Sequence, residues 1–239
     1  MSTSLEVRME SYEAASDQRL PDDQPALIRI GGHGFSKFTR GFNKPFDARI
    51  HAAMVQTAAG LLTYFPGASL AYTQSDELTL VGRICKLTSL AAGYAYVRFN
   101  YHLAEAGAPA GQLEGLAHFD ARCPTQRRHR TTSLIWRAKG DCRRNSIAAA
   151  KELHGMSAVA VVEKVRAEKG VDFWTATPSW AQYGTTVKRE KYGGTGIDGM
   201  TGEQVETIRT RTRSEDMAWW GFNECDLELV TERYWDSPP

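Results

Sequence analysis

A chain of 239 residues, 42% hydrophobic and 24% charged, carries enough apolar material for a substantial buried core in one large domain or two small ones. Its formal net charge of +1 excludes a uniformly basic nucleic-acid coat, so any contact with an anionic ligand has to come from a local patch. Cys85, Cys123, Cys142 and Cys225 lack C-x-x-C or zinc-knuckle spacing, and no apolar run suits a signal peptide or a membrane span. A reduced, soluble, cytoplasmic protein with no membrane partner is expected.

Residues 5–20 have Leu5, Met9 and Tyr12 at helical spacing, which predicts an amphipathic packing helix ended by Pro21. Ala26 to Ile30 is a short apolar run suited to a buried strand, and it leads into Gly31-Gly32-His33-Gly34. A glycine-rich turn in that place would let backbone amides approach a phosphate, although neither the Walker pattern nor G-x-G-x-x-G is present. Lys37, Arg40 and Lys44 follow closely and supply cations for such a ligand. From Phe46 to Phe65, Ile50, Met54, Ala58, Leu61 and Leu62 recur at helical spacing and predict a long helix packed on a sheet.

Leu70 to Val81 reads as two strands around a polar Gln-Ser-Asp-Glu, a tight hairpin with Asp76 and Glu77 at its tip. Adjacent carboxylates there suit a hard divalent cation, and an ordinary solvated turn has the same composition. A helix from Leu87 to about Leu103 and a strand within residues 111–120 come next. The order strand, helix, hairpin, helix, strand predicts an α+β, ferredoxin-like palm, with helices on one face of an antiparallel sheet and the other face open to a ligand. The glycine turn and the hairpin tip would then share a site. This core spans residues 1–122, and residues 123–239 form an extension packed on it as one continuous unit.

From the end of the core into the extension runs a basic cluster, Arg122, Arg127, Arg128, Arg130, Arg137, Lys139, Arg143 and Arg144, a local signal for nucleotide phosphates or an RNA backbone and equally compatible with a solvated face. Residues 145–153 and 157–170 read as helices, the second with Glu–Lys pairing on its exposed side. Gly193-Gly194-Thr195-Gly196 reads as a flexible loop, and residues 208–213 as an edge strand with arginines on one face.

Several of these segments together resemble the tRNA(His) guanylyltransferase family, the enzymes that add nucleotides to RNA 5′ ends in the 3′-to-5′ direction. Its Arg-x-Asp-Gly-Arg-x-Phe-x-x-Phe-Thr motif is matched by residues 29–39, its Lys-Pro-x-Asp by Lys44-Pro45-Phe46-Asp47, and its Tyr-x-Gln-Ser-Asp-Glu by residues 72–77. Phe119-Asp120-Ala121-Arg122, the segment from Trp136 to Ser146, Leu153-His154-Gly155 and Tyr183-Gly184-Thr185 resemble motifs of the prokaryotic and viral branch. The resemblance implies a palm fold in a homo-oligomer, usually a tetramer, acting with Mg2+ on GTP and ATP and on a tRNA or similar RNA 5′ end. It implies metal positions at the Gly32 carbonyl and Asp76, with Glu77 beside them. It further implies nucleotide contacts from Gly31, Gly32, His33, Gly34, Phe35, Ser36, Lys44, Ser75, Arg137, Arg143, Arg144 and Asn145.

One departure bears on the chemistry. Gly31 stands where the family has its first metal-binding Asp, and His33 stands where it has Arg. Three readings follow: a nucleotidyltransferase with one metal or a substitute ligand, for which Glu77 and His33 are candidates; a nucleoside-triphosphate enzyme turned to hydrolysis or purine-ring opening; or a non-catalytic GTP- or RNA-binding subunit.

Overall fold

The computed structural model describes residues 4–16, 26–44, 46–82, 88–108, 115–123, 156, 158–170, 172–217 and 232–235. In chain order these give helix α1 (Leu5–Ser16), strand β1 (Ala26–His33), the short helix α2 (Phe35–Phe38), α3 (Ala48–Tyr64), β2 (Ala68–Gln74), β3 (Glu77–Gly82), α4 (Thr88–Glu105) and β4 (His118–Arg122). There follow α5 (Ala158–Lys169), α6 (Phe173–Ala176), α7 (Ser179–Tyr183), β5 (Thr185–Ile197), β6 (Gln204–Asp216) and β7 (Tyr234–Trp235).

The strand order β4-β1-β3-β2 is the ferredoxin-like arrangement expected from the element sequence, every pairing in it antiparallel. The sheet continues through β5 to β6 at the edge, and β7 runs parallel to β5. The palm is thus extended by strands from the C-terminal half.

Period-two alternation in β1 and β3 sends Ile28, Ile30, Leu78 and Leu80 to one face, where they meet Met54, Ala58, Leu61 and Leu62 of α3 and Ala91, Ala95, Phe99 and Leu103 of α4. Each of these is buried, and the cluster forms the main core. Asp47 caps α3 by accepting from the Arg49 amide. At the other end the buried Arg189 guanidinium donates to the Leu62 and Phe65 carbonyls at the C-terminal end of α3 and to the Ala68 carbonyl at the start of β2. No described helix is long and apolar enough to cross a membrane.

Four expectations change. Leu5, Met9 and Tyr12 of α1 are exposed, so the N-terminal helix does not pack them into a described core. The second face of the sheet is not open throughout: Leu27, Leu70, Tyr72 and Val81 are buried there, with Met217 against them. Gly31, Gly32 and His33 belong to β1, and the turn is made by Gly34 alone at φ 63. Residues 193–196 are strand, not loop. Gly194 and Gly196 lie under the Arg209 and Thr207 side chains of β6, where a Cβ at Gly196 would stand 2.9 Å from Thr207 Cγ2.

The other elements follow the sequence closely. Lys164 and Glu168 pair along α5 at 3.7 Å, and Arg209, Arg211 and Arg213 share one face of the edge strand β6. The predicted helix at 145–153 and the basic residues 127–144 lie outside the described residues.

Candidate nucleotide site

The hairpin between β2 and β3 has a two-residue loop, Ser75-Asp76, closed by the pair Gln74 and Glu77. Ser75 adopts the left-handed region at φ 58, strained by about 1–2 kcal/mol for a residue with a Cβ. Its hydroxyl donates to Asp76 Oδ1 at 3.2 Å. The Asp76 carbonyl accepts from the Gly32 amide at 3.0 Å, which ties the hairpin tip to the end of β1. A Cβ on Gly32 would run into the Phe35 ring and stand 3.1 Å from Asp76 Cβ. Only a glycine permits this approach of the Gly32 backbone to the carboxylate residue.

Gly31 and Glu77 are directly paired across β1 and β3, and Glu77 forms an ion pair with Arg29. Glu77 is therefore the first residue of β3 with its carboxylate on the sheet face, not a second carboxylate at the tip. Gly31 has an ordinary backbone, and a Cβ there would meet only Arg29 Nη2, at 3.9 Å. On the other side of β1, Gly31 pairs with Asp120 of β4. Asp120, Gly31 and Glu77 thus form one row across three strands, on a single face.

The remaining expected contacts divide. Ser36, Gly34 and His33 are exposed around the start of α2. Lys44 Nζ donates to Thr39 Oγ1 at 3.0 Å, and that hydroxyl donates to the Phe35 carbonyl at 2.9 Å, so the ammonium lies beside the same segment. The Phe35 ring is a core group, 5.5 Å from Phe99 and 5.9 Å from Phe119 by centroid, which leaves its main chain as the part able to face a ligand. Arg137, Arg143, Arg144 and Asn145 lie outside the described residues.

Supports that composition does not reveal hold the tip in place. The buried Gln74 carboxamide donates to the Gln182 carbonyl at 2.9 Å, and the Tyr72 hydroxyl donates to the Tyr183 carbonyl at 2.6 Å. Gly184, at φ 81, accepts this close approach because a Cβ would strike the Tyr72 hydroxyl and stand 2.7 Å from the Thr73 carbonyl. The Tyr-x-Gln and Tyr-Gly-Thr segments are therefore two halves of one clamp.

Nearby, His51 stacks on Trp180 with centroids 4.2 Å apart, and Thr185 donates to Asp216 at 2.7 Å beneath it. Burial holds the His51 imidazole below the usual histidine range, against the opposing pull of Asp216. Asp47 accepts from the Asn43 amide and from the amide and guanidinium of Arg49, which lowers its carboxyl to about 2.

The profile of the tRNAHis guanylyltransferase family matches residues 6–126, half of the chain. The chain belongs to this family. An uncharacterized protein of Acanthamoeba polyphaga mimivirus is 29% identical over 77% of this chain and 76% of its own length. A tRNA(His) guanylyltransferase of Debaryomyces hansenii is 26% identical over 92% of each. Among solved structures, a bacterial tRNA(His) guanylyltransferase-like protein in complex with ATP superposes with a TM-score of 0.74 at 27% identity, over 95% of this chain and 97% of that one. The corresponding complex with GTP gives 0.66 at the same identity and coverage. The Saccharomyces cerevisiae enzyme gives 0.59 at 19% identity, over 71% of this chain and 87% of that one, and shares the fold.

The family resemblance implies Mg2+, and the donor chemistry at the hairpin tip suits it. Among the described residues no three His, Cys, Asp or Glu side chains form a ready cage. Magnesium does not require one: it takes one or two carboxylates and completes its octahedron with phosphate and water. The Asp76 carboxylate and a main chain that only glycine brings this close provide hard oxygen donors of the right kind.

Proposed function

We propose that this family member is a magnesium-dependent nucleotidyltransferase that binds GTP or ATP at the Gly32–Asp76 end of the palm and adds a nucleotide to the 5′ end of a tRNA or similar RNA. The observation that carries the reading is the Gly32–Asp76 contact, a backbone hydrogen bond that only a glycine permits and that sets the β1 main chain beside the residue bearing the carboxylate. ATP and GTP bound to the bacterial relatives and the name of the Debaryomyces relative support the substrate classes. A cytoplasmic location and assembly as a dimer or tetramer belong to the same reading.

Each residue has a physical task in it. The Asp76 carboxylate and Gly32 carbonyl would hold a magnesium ion, which when bound neutralises the charge that builds on the transferring phosphoryl group. Lys44, Ser75 and Ser36 offer donors to the triphosphate, and Gln74 and Tyr72 keep the tip in register with α7. Arg137, Arg143, Arg144 and Asn145 are assigned to nucleotide or RNA phosphates by resemblance.

Gly31 favours a second reading. With no carboxylate at that position the site has fewer ion ligands, and the protein would turn over a nucleoside triphosphate without transfer to RNA, or hold it unreacted. One assay separates these: purified protein with Mg2+, ATP, labelled GTP and a 5′-monophosphorylated tRNA lacking its first nucleotide. Label at the RNA 5′ end supports transfer, nucleotide consumption without labelled RNA supports the repurposed enzyme, and binding without turnover supports the regulatory subunit.

A further inference from the structure

The row Asp120, Gly31, Glu77 contains a gap at its centre. At Gly31 the sheet has room for a side chain and contributes none. Of its two neighbours, Glu77 is engaged by Arg29 and is only 14% exposed. Asp120 is 52% exposed and held by Arg122 through a loose contact of 3.6 Å, so its carboxylate can turn at little cost. Directly opposed residues in an antiparallel pair have Cβ atoms about 4.5–5.5 Å apart, within the reach of a short acidic side chain.

We infer that Asp120 supplies, from the adjacent strand, the ion-binding carboxylate that Gly31 does not. The inference rests on the nucleotidyltransferase reading and deepens it. It replaces the two substitutes suggested by sequence alone. Glu77 has Oε1 on Arg29 and is largely buried, which limits its reach, and His33 lies two residues beyond Gly31, opposite His118, with an imidazole that suits magnesium poorly. Asp120 offers hard oxygen, lies on the face of Gly31 and sits, half exposed, on the strand that ends the described sheet. Arg122, its present partner, would be displaced by the cation.

The test is Mn2+ binding in the presence of GTP, followed by electron paramagnetic resonance on the full chain, with thermal melts to confirm folding. Asp120→Asn is expected to weaken Mn2+ by about tenfold or more. In a Gly31→Asp background the same change should cost much less, because the restored carboxylate fills the gap and the two effects are coupled. Arg122→Gln, which removes the competing cation, should tighten Mn2+ binding, which loss of a purely structural ion pair would not produce. If Asp76→Asn abolishes Mn2+ binding while Asp120→Asn and Asp120→Ser match wild type, this inference fails and the site reading stands. Equal losses from Asp120→Asn in both backgrounds would also overturn it. Wild-type protein that binds no Mn2+ with GTP would overturn both.

Discussion

Gly32 and Asp76 are joined at the end of the palm by a 3.0 Å backbone hydrogen bond, and the absent Cβ of Gly32 is what allows their side-by-side placement. The relationship links two segments more than forty residues apart and brings a main-chain segment against a carboxylate residue.

Gly32→Ala puts a methyl group against the Phe35 ring and Asp76 Cβ. Overpacking of this kind costs about 1–3 kcal/mol. Urea denaturation should show the loss, and nucleotide affinity should fall with it as the tip separates from β1. A variant with unchanged stability and unchanged GTP binding would mean that the close approach is unimportant.

Gly31→Asp makes the opposite case. The backbone is unstrained, and the added Cβ meets only the end of the flexible Arg29 side chain at 3.9 Å. The fold should tolerate it with little change in Tm. If a missing ligand limits the chemistry, 5′ addition should rise on the order of tenfold or more, about 1.4 kcal/mol in the barrier. A stable variant with no gain would show that more than one ligand separates this chain from efficient transfer.

Tyr72→Phe removes the hydrogen bond to the Tyr183 carbonyl and leaves that acceptor within a closely packed contact. The expected loss is about 1–2 kcal/mol, read by thermal or chemical unfolding. Gln74→Ala, which breaks the parallel contact to Gln182, should lower turnover through a displaced Asp76 more than it weakens overall stability. Identical kinetics in both variants would disconnect the clamp from the site.

Asp47 sets an acid limit. Its hydrogen bonds to Arg49, and the Asn43 and Arg49 amides, lower its carboxyl from the ordinary 3.8 to about 2. A carboxylate depressed on folding contributes stability that is complete above the unfolded value, so the contribution is lost as pH falls from about 4 to about 2. With screening at the partly exposed Arg49 it amounts to about 1–2 kcal/mol. Asp47→Asn should flatten this part of the stability profile, and an unchanged slope in that window would place the acid sensitivity elsewhere.

Much of the palm was legible because its signals are local. Ile28, Ile30, Leu78 and Leu80 alternate as strands must, and Met54, Ala58, Leu61 and Leu62 repeat as one helix face. The misreadings come from partners far away in sequence. Gly194 and Gly196 suggest a loop until Thr207 and Arg209 of the paired strand lie over them. Phe35 sits in the segment that resembles the family's first motif, and its ring packs against Phe99 and Phe119. At the site, Asp76 stands out as a motif residue, whereas Asp120 acquires its place only through the β1–β4 register. The engagement of Glu77 by Arg29 similarly depends on strand alternation together with pairing, and neither alone reveals it.

In the proposed function a nucleoside triphosphate and its cation are held where Gly32 meets Asp76. A crystal grown with GTP and Mn2+, with anomalous scattering recorded for manganese, measures this directly. The account predicts an anomalous peak coordinated by the Asp76 carboxylate, with the triphosphate alongside Lys44 and Ser75. A bound triphosphate elsewhere on the molecule, with its ion away from Asp76, would contradict it.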